Sequence, residues 1–155
     1  MTASDNLAFR DAIEADLPAI IALLGDDQFG QARNPAFETN REKYLAAFRE
    51  LEANPNDGYV VAEAGGRIVG VMQLSYLRGL SYSGGLRAQV ESVRIASDLR
   101  GRGLGSKMME EACRRARARG AVLVQLTTDA RRIEARRFYE RLGFSGSHVG
   151  MKKFL

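Results

Sequence analysis

The chain has 155 residues and a net charge of +4, with 45% hydrophobic and 27% charged residues, a composition typical of one globular domain with a sizeable core. Its longest wholly apolar run, residues 19–24, is too short to cross a bilayer, and the N-terminus has no leader-like pattern. A lone cysteine, Cys113, excludes an internal disulfide. We therefore expect a single domain over residues 1–155, located in the cytoplasm and not in a membrane.

One strand and one helix are predicted at the start of the chain. Alternating residues over 7–13 indicate a strand. Asp16 is expected to cap the helix that follows, and Gly25 is expected to end it. The helical apolar stripe consists of Leu17, Ile20, Ile21 and Leu24.

A second helix is predicted beyond residues 26–37, which have no periodicity and are expected to form a loop. Thr39 and Glu42 have the spacing of a capping box. Pro55 should end this helix, because the residue before a proline avoids the helical conformation. Its inward-facing residues are expected to be Tyr44, Leu45, Phe48 and Leu51.

Two strand-like runs over residues 59–64 and 67–77 are joined by Gly65 and Gly66. Paired glycines allow the positive φ angles that a two-residue hairpin turn requires. We expect an antiparallel hairpin here, followed by a loop over residues 78–86.

The glycine-rich segment Arg-Gly-Arg-Gly-Leu-Gly-Ser, residues 100–106, follows a strand-like run over 88–95. It opens a helix whose apolar face contains Leu104, Met108, Ala112 and Ala116. The unpaired amides of a first helical turn and the helix dipole favour a phosphate group, and Arg100 and Arg102 add positive charge. The segment is therefore interpreted as a phosphate cradle.

Two common phosphate-binding patterns are excluded. A Walker loop needs glycine directly before its lysine, whereas Ser106 precedes Lys107. In the dinucleotide pattern the third glycine comes one residue later than Gly105 does, and only about fifty residues follow, too few for a six-stranded dinucleotide-binding fold.

A second motif lies about thirty residues after the glycine loop. An apolar strand over residues 121–127 is expected to be buried on both faces, and a short helix follows, with Gly143 as its end. Residues 144–155 can form a last strand or hairpin. The motif residues are Ala135, Phe138, Tyr139, Leu142, Gly143 and Phe144.

The spacing of Arg100, Gly103 and Gly105, together with this second motif, resembles the GNAT family of N-acetyltransferases over nearly the whole chain. The resemblance implies an α/β fold of three α/β/α layers around a mixed, mostly antiparallel sheet. It also implies direct acetyl transfer from acetyl-CoA to an amine, without a metal. One departure is Arg132, where many members have an asparagine that contacts the cofactor.

The resemblance also implies site residues. Glu91 is the candidate general base, acting through a water, and Tyr139 is the candidate general acid toward the thiolate. Backbone groups are expected to hold the pantetheine arm and amides of the glycine loop the pyrophosphate. The expected cofactor-binding residues are Val93, Arg94, Ile95, Arg100, Gly101, Arg102, Gly103, Leu104, Gly105, Ser106 and Tyr139.

Alternatives remain open at this point. Glu91 could equally be a solvated surface glutamate balanced by Arg87 or Arg94, and His148 is a possible second base. The arginine-rich helices and a pI near 9.5 would also suit a nucleic-acid-binding module, although no interleaved aromatics support it. A coenzyme A sensor without turnover is a third function. A small-molecule amine is the favoured acceptor, its identity is open, and a homodimer is possible.

Overall fold

The computed structural model describes residues 7–155, with the side chain of Gln28 excepted. Five strands form one sheet in the order β1-β2-β3-β4-β5. The first four strands are antiparallel to their neighbours, and β5 runs parallel to β4. The strands are β1 (Leu7–Asp11), β2 (Asp57–Ala64), β3 (Arg67–Arg78), β4 (Leu86–Ile95) and β5 (Ala121–Leu126).

Helices cover both faces of this sheet. Residues of α1 pack with Val61 and Val71 on one face, where Tyr44 of α3 also contacts the cluster. The other face is covered by α4, whose Met108 and Met109 are fully buried against the strands, and by side chains of α5. The helices are α1 (Leu17–Leu24), α2 (Gln28–Gln31), α3 (Arg41–Ala53), α4 (Leu104–Ala118) and α5 (Ile133–Arg141), with a further irregular single turn at Ser81–Gly84 that is not numbered. This is the three-layer α/β/α arrangement with a mixed, mostly antiparallel sheet that the sequence predicts.

Alternation along the central strands divides the core into two halves. Val60 and Ala62 of β2 face α4, whereas Val61 between them faces α1. Successive side chains of a strand point to opposite faces, so one continuous apolar run supplies both halves. Within residues 7–155, no helix is long and apolar enough to cross a membrane.

Most predicted elements are confirmed. The four stripe residues of α1 and the four apolar residues predicted for α4 are all buried. Gly65 and Gly66 join β2 to β3 with φ of 58° and 76°, as the hairpin requires. The first strand ends two residues earlier than expected, at Asp11. The expected absence of a leader sequence concerns residues that lie outside the described range.

Two local predictions in the first half are wrong. The segment expected to be loop contains the single-turn helix α2 and a 3-10 turn at Phe37–Thr39, because Asp27 caps α2 by accepting hydrogen bonds from the amides of Phe29 and Gly30. The capping box does not form, since Asn40 occupies the cap position of α3 without a side-chain hydrogen bond. Of the four predicted inward residues of α3, Phe48 is the one fully buried.

Predictions for the end of the chain also need correction. Strand β5 is an edge strand whose residues are only half-buried, with Val122 exposed, because no strand in the described chain pairs with its outer side. The predicted last strand is not present over residues 144–155. Val149, Met151 and Phe154 are exposed there.

Candidate active site

The glycine loop takes a conformation that glycine favours. Gly101 and Gly103 have φ of 75° and 80°, and a Cβ at either would meet no atom within 4 Å. Gly103 caps α4, and its carbonyl accepts the hydrogen bond of the Lys107 amide at 3.2 Å. The amides of residues 104–106 therefore belong to the first turn, which has no intrahelical acceptors. They lie at the positive end of the helix dipole, as a phosphate cradle requires.

Arg100 holds this loop in place. Its Nε donates to the carbonyl of Ile95 at 3.1 Å, and its Nη2 donates to the carbonyl of Asp26 at 2.9 Å. The guanidinium thus ties the loop to the end of β4 and to the segment after α1. Arg102 is exposed, and no carboxylate in residues 7–155 forms an ion pair with it.

Strands β4 and β5 separate beside this loop. Their last paired residues are Val90 and Leu126, although β4 continues to Ile95. Backbone groups of a strand alternate between its two sides. Because the amide of Ala96 bonds the carbonyl of Val69 on β3, the groups of Val93 and Ile95 face the open side.

Two backbone carbonyls on that open side accept hydrogen bonds from arginine side chains. Nη1 of Arg94 donates to the carbonyl of Val93 at 2.8 Å, and Arg100 bonds that of Ile95. Because the carbonyls of Val93 and Ile95 are already hydrogen-bonded, the amides of these two residues are the groups with which β4 can bind an extended ligand in the opening.

A β-bulge at Ser92 orients Glu91 and Arg94 of β4. Ser92 has φ of 55°, which costs about 1–2 kcal/mol for a residue other than glycine, and the pairing with β3 shifts there. Glu91 pairs with Gln73, and Arg94 pairs with Val71. The side chains of two directly paired residues lie on the same face of the sheet. Val71 and Gln73 are two residues apart on β3, so their side chains also share a face. Glu91 and Arg94 therefore lie on the same face, the one covered farther along by α1.

Glu91 is exposed and forms no ion pair within the described residues. Tyr59 of β2 is its neighbour: burial raises the pKa of the Tyr59 phenol, a hydrogen bond with Ser92 lowers it, and the Glu91 charge raises it. Arg94, one of the expected counter-charges of Glu91, is instead directed to Asp27. The Glu91 carboxylate is thus available to a ligand.

Tyr139 of α5 packs against the same core cluster as Val93 and Ile95 of β4. Its ring contacts those of Phe138 and Phe144 edge-on, with centroids 5.1 and 5.9 Å apart. Burial raises the pKa of its phenol, and the charges of Arg94 and Arg132 act in the opposite direction. The hydroxyl therefore stays protonated at neutral pH, as a proton donor must.

Asp27, Arg94 and Arg132 form an ionic cluster, named here the Asp27 cluster. Nη2 of Arg132 donates to Oδ2 of Asp27 at 2.8 Å, and Nε of Arg94 lies 3.4 Å from the same oxygen. Burial would raise the pKa of Asp27, but hydrogen bonds from Arg132 and the Gly30 amide bring it below its usual value. The cluster joins the segment after α1 to the start of α5, across the end of the sheet.

Close packing fixes the position of α2, which carries Asp27 at its cap. A Cβ on Gly30 would come within 2.1 Å of the Leu24 carbonyl oxygen, so no other residue fits there without a backbone shift. The Phe29 ring lies under Arg131 and Arg132, with guanidinium carbons 4.5 and 4.9 Å from its centroid.

The structure also places His148, Cys113 and the tyrosines Tyr44 and Tyr82. His148 is exposed, with its Nδ1 2.8 Å from the Ser147 hydroxyl, and Cys113 is a free, half-buried thiol. The Tyr44 hydroxyl donates to the Pro35 carbonyl, and Tyr82 is exposed. No His, Cys, Asp and Glu cluster suited to a metal occurs in the described part of the chain.

The arginines of α4 are largely paired. Glu111 accepts hydrogen bonds from both Arg114 and Arg115 at 2.7 Å, and Arg115 also pairs with Asp11. Arg114 thus pairs with Glu111, three residues before it, rather than with Glu110 at the i,i+4 spacing.

Sequence reasoning missed Asp27 and Tyr59 as neighbours of the opening. Asp27 lies in a segment interpreted as plain loop, although its position two residues before Phe29 and three before Gly30 is that of an N-cap. Tyr59 belongs to a predicted strand, and nothing in the local sequence points to a role. It lies near Glu91 because both residues pair with Gln73 of β3.

The residues at the opening fit a thioester cofactor with a phosphate-bearing arm. Free amides at the start of α4 suit a pyrophosphate, and the unpaired edge of β4 suits an amide-containing chain. A separate open cleft of about 570 Å³ lies along the start of α5; it is lined by Arg131, Arg132, Ile133, Glu134, Ala135 and Arg137.

Comparison with known proteins identifies the family. The model of the Acetyltransferase (GNAT) family matches residues 20–144. An aminoalkylphosphonate N-acetyltransferase of Salmonella typhimurium is 31% identical over 118 residues, 76% of each chain. An L-methionine sulfoximine/L-methionine sulfone acetyltransferase of Pseudomonas paraeruginosa is 29% identical, covering 94% of this chain and 86% of its own.

Solved structures have the same fold. A protein from Bacillus halodurans C-125, described as a transcriptional regulator, superposes with a TM-score of 0.93 at 40% identity, over 97% of this chain and all of its own. Glucosamine-6-phosphate N-acetyltransferase of Arabidopsis thaliana superposes with a TM-score of 0.79 at 22% identity, over 97% and 99%. The chain belongs to the GNAT family of acetyltransferases.

Proposed function

We propose that this protein transfers the acetyl group of acetyl-CoA directly to a small primary amine, with residues 1–155 acting as one N-acetyltransferase domain. The observation that carries the proposal is the left-handed glycine loop at the start of α4, set beside the opening between β4 and β5. Two of the relatives named above acetylate small molecules that contain an amine, and this favours a small acceptor. A cytoplasmic location stays a prediction of the sequence.

In the proposed binding mode, amides of Gly101–Ser106 hold the pyrophosphate, and Val93, Arg94 and Ile95 line the pantetheine arm. The amides of Val93 and Ile95 point into the opening, where each can donate one hydrogen bond. Arg100 acts through its contacts with Ile95 and Asp26, which keep the loop against the strand. The side chain of Leu104 is buried, so its contribution is its amide.

Glu91 is proposed to accept the proton of the ammonium group through a water. The amine nitrogen then forms a bond to the acetyl carbon, the carbon–sulfur bond breaks, and sulfur leaves with the electron pair. Tyr139 is proposed to donate its proton to that sulfur, and its raised pKa keeps the proton available. The second proton that the nitrogen loses as the amide forms returns through water to the Tyr139 oxygen and restores its hydroxyl. No acyl-enzyme is required.

The proposal is tested by thiol release from acetyl-CoA with a panel of amines, beside a direct titration of coenzyme A. Release that depends on an amine supports the enzyme. Binding of coenzyme A without release from any amine would favour the sensor function. Absence of binding at millimolar coenzyme A would overturn the proposal.

A nucleic-acid-binding function remains the alternative from another class, favoured by the description of the Bacillus halodurans relative and by the pI near 9.5. Pairing of Arg114, Arg115 and Arg132 with carboxylates reduces the free positive charge available to phosphates. Binding to a random oligonucleotide that weakens steeply with salt would support this alternative.

A further inference from the structure

The Asp27 cluster has more positive charge than its single carboxylate balances. Two guanidinium groups share one carboxylate, and Arg33 is near enough for its charge to lower the pKa of Arg94 further, after burial has lowered it. The side chain of Arg94 is only 18% exposed. A cation removed from water in this way is costly unless it is fully paired.

Hydrogen-bond donors are also left over in this cluster. Nε of Arg94 is buried and has no hydrogen-bond acceptor among the described residues. Oδ1 of Asp27 accepts from the amides of Phe29 and Gly30 and Oδ2 from Arg132. Arg94 Nε lies 3.4 Å from Oδ2 and forms an ion pair with it, but not a hydrogen bond. Arginine N–H groups match the oxygens of a carboxylate or phosphonate in pairs.

The position of the cluster relates it to the reacting amine. Glu91 and Arg94 lie on one face of β4, and their partners on β3 are two residues apart, which corresponds to about 7 Å along the strand. Tyr139 is near enough for its charge state to affect Arg94. The pyrophosphate cradle lies elsewhere, at the start of α4.

We propose that the acceptor is an amine that also carries an acid group, and that Arg94 and Arg132 bind this acid group while Glu91 faces the amine. This inference rests on the proposed acetyltransferase function. The acid group is an oxyanion, either a carboxylate or a phosphonate, and the neutral isostere of such an amine is bound without this interaction.

Matched acceptors test the proposal by thiol release. L-Methionine is compared with L-methioninamide, and 2-aminoethylphosphonate with ethylamine. We expect kcat/KM for at least one acid-bearing amine to exceed that of its neutral partner by about 10-fold to 100-fold, the range of charged hydrogen bonds. The amino group of L-methioninamide loses its proton more readily than that of L-methionine. A preference for L-methionine therefore cannot arise from a larger fraction of unprotonated amine.

Variants locate the interaction. R94Q and R132Q should bring the kcat/KM ratio of each pair close to one, with the loss mostly in KM for the acid. R131Q is the matched control, because Arg131 also stacks on Phe29 but pairs with Asp129 instead of Asp27, and it should keep the wild-type ratio. Should R94Q fold poorly, R132Q at the start of α5 provides the same readout.

The outcomes separate the two proposals. Turnover of neutral amines at or above the rate of their acid-bearing partners overturns this inference and leaves the acetyltransferase standing. Weaker binding of coenzyme A by R94Q and R132Q with an unchanged acceptor ratio also overturns it. Absence of release with every amine overturns the proposed function and this inference with it.

Discussion

Phe138 of α5 packs directly on the backbone of Gly105 in α4: a Cβ on Gly105 would lie 3.2 Å from the ζ carbon of the ring. Gly105 has no positive φ, unlike Gly101 and Gly103. The glycines of the loop therefore serve two purposes. Gly101 and Gly103 allow the turn, and Gly105 lets an aromatic ring of the second motif reach the helix that carries the first.

This contact predicts a coupled effect on stability. Gly105→Ala should lower the free energy of unfolding by up to about 2 kcal/mol, because the overpacked contact with Phe138 outweighs the roughly 1 kcal/mol that alanine gains over glycine in a helix. Phe138→Leu frees space beside it, so the double variant should lose less than the sum of the two single losses. Urea unfolding of the four proteins measures this difference. Additive losses would contradict the contact.

Gly103→Leu should weaken the binding of coenzyme A at least about tenfold while the fold is retained. The left-handed φ costs a leucine about 1–2 kcal/mol of stability, and the side chain would cover the amides of the cradle. Gly120→Leu is the matched control, since Gly120 has φ of 73° and equally open surroundings at the other end of α4. Calorimetric titration should find weaker binding in the first variant alone, and equal losses in both would contradict the cradle.

Tyr139→Phe should reduce kcat by about 100-fold or more, the range of general acid catalysis, with the affinity for coenzyme A changed less than about twofold. The ring and its packing against Phe138 and Phe144 remain, and only the hydroxyl is lost. Tyr76→Phe is the control, because Tyr76 is a half-buried tyrosine of β3 whose ring stacks with Arg119. An unchanged kcat in Tyr139→Phe would remove Tyr139 from the catalytic proposal.

Glu91→Gln should reduce kcat/KM about 100-fold, since the amide cannot accept the proton of the ammonium group. His148→Gln should leave it unchanged, because the His148 ring is exposed and hydrogen-bonded to Ser147. Steady-state rates of both variants compare the two candidate bases. The opposite pattern, with loss only in His148→Gln, would assign the base to His148.

Acid should weaken the fold through Asp16. The hydrogen bond from Arg10, 2.6 Å long, is the main cause of the lowered pKa of the buried Asp16 carboxylate. A depressed folded-state pKa contributes stability that is present above the unfolded value of about 3.9 and is lost as pH falls through the folded value.

Asp16→Asn should therefore lower the free energy of unfolding at pH 7 by about 1.5–3 kcal/mol. As the pH falls below 5, the free energy of unfolding of this variant should decrease less than that of the wild type. Glu50→Gln, at an exposed position of α3, is the control that should keep the wild-type profile. Urea unfolding at several pH values measures both. Parallel profiles for Asp16→Asn and the wild type would contradict this role of Asp16.

Local patterns in the sequence were sufficient for most of the fold. The hairpin at Gly65 and Gly66, the stripe of α1 and the glycine loop before α4 each depend on residues close in sequence, whose conformational preferences do not need a partner. The family resemblance rested on two such local motifs. The edge position of β5 could not be derived in this way, because it depends on whether a later segment pairs with it.

Tertiary structure decided how the site is assembled. Residues three apart on a strand, such as Glu91 and Arg94, would ordinarily lie on opposite faces, and the bulge at Ser92 that reverses this depends on the register with β3. Asp27 and Arg132 are 105 residues apart in the chain, and their pairing requires α2 and α5 to meet at one end of the sheet. The sequence by itself determined the family and its loop, whereas folding brought the charges of the opening together, because such contacts are set by packing between distant segments.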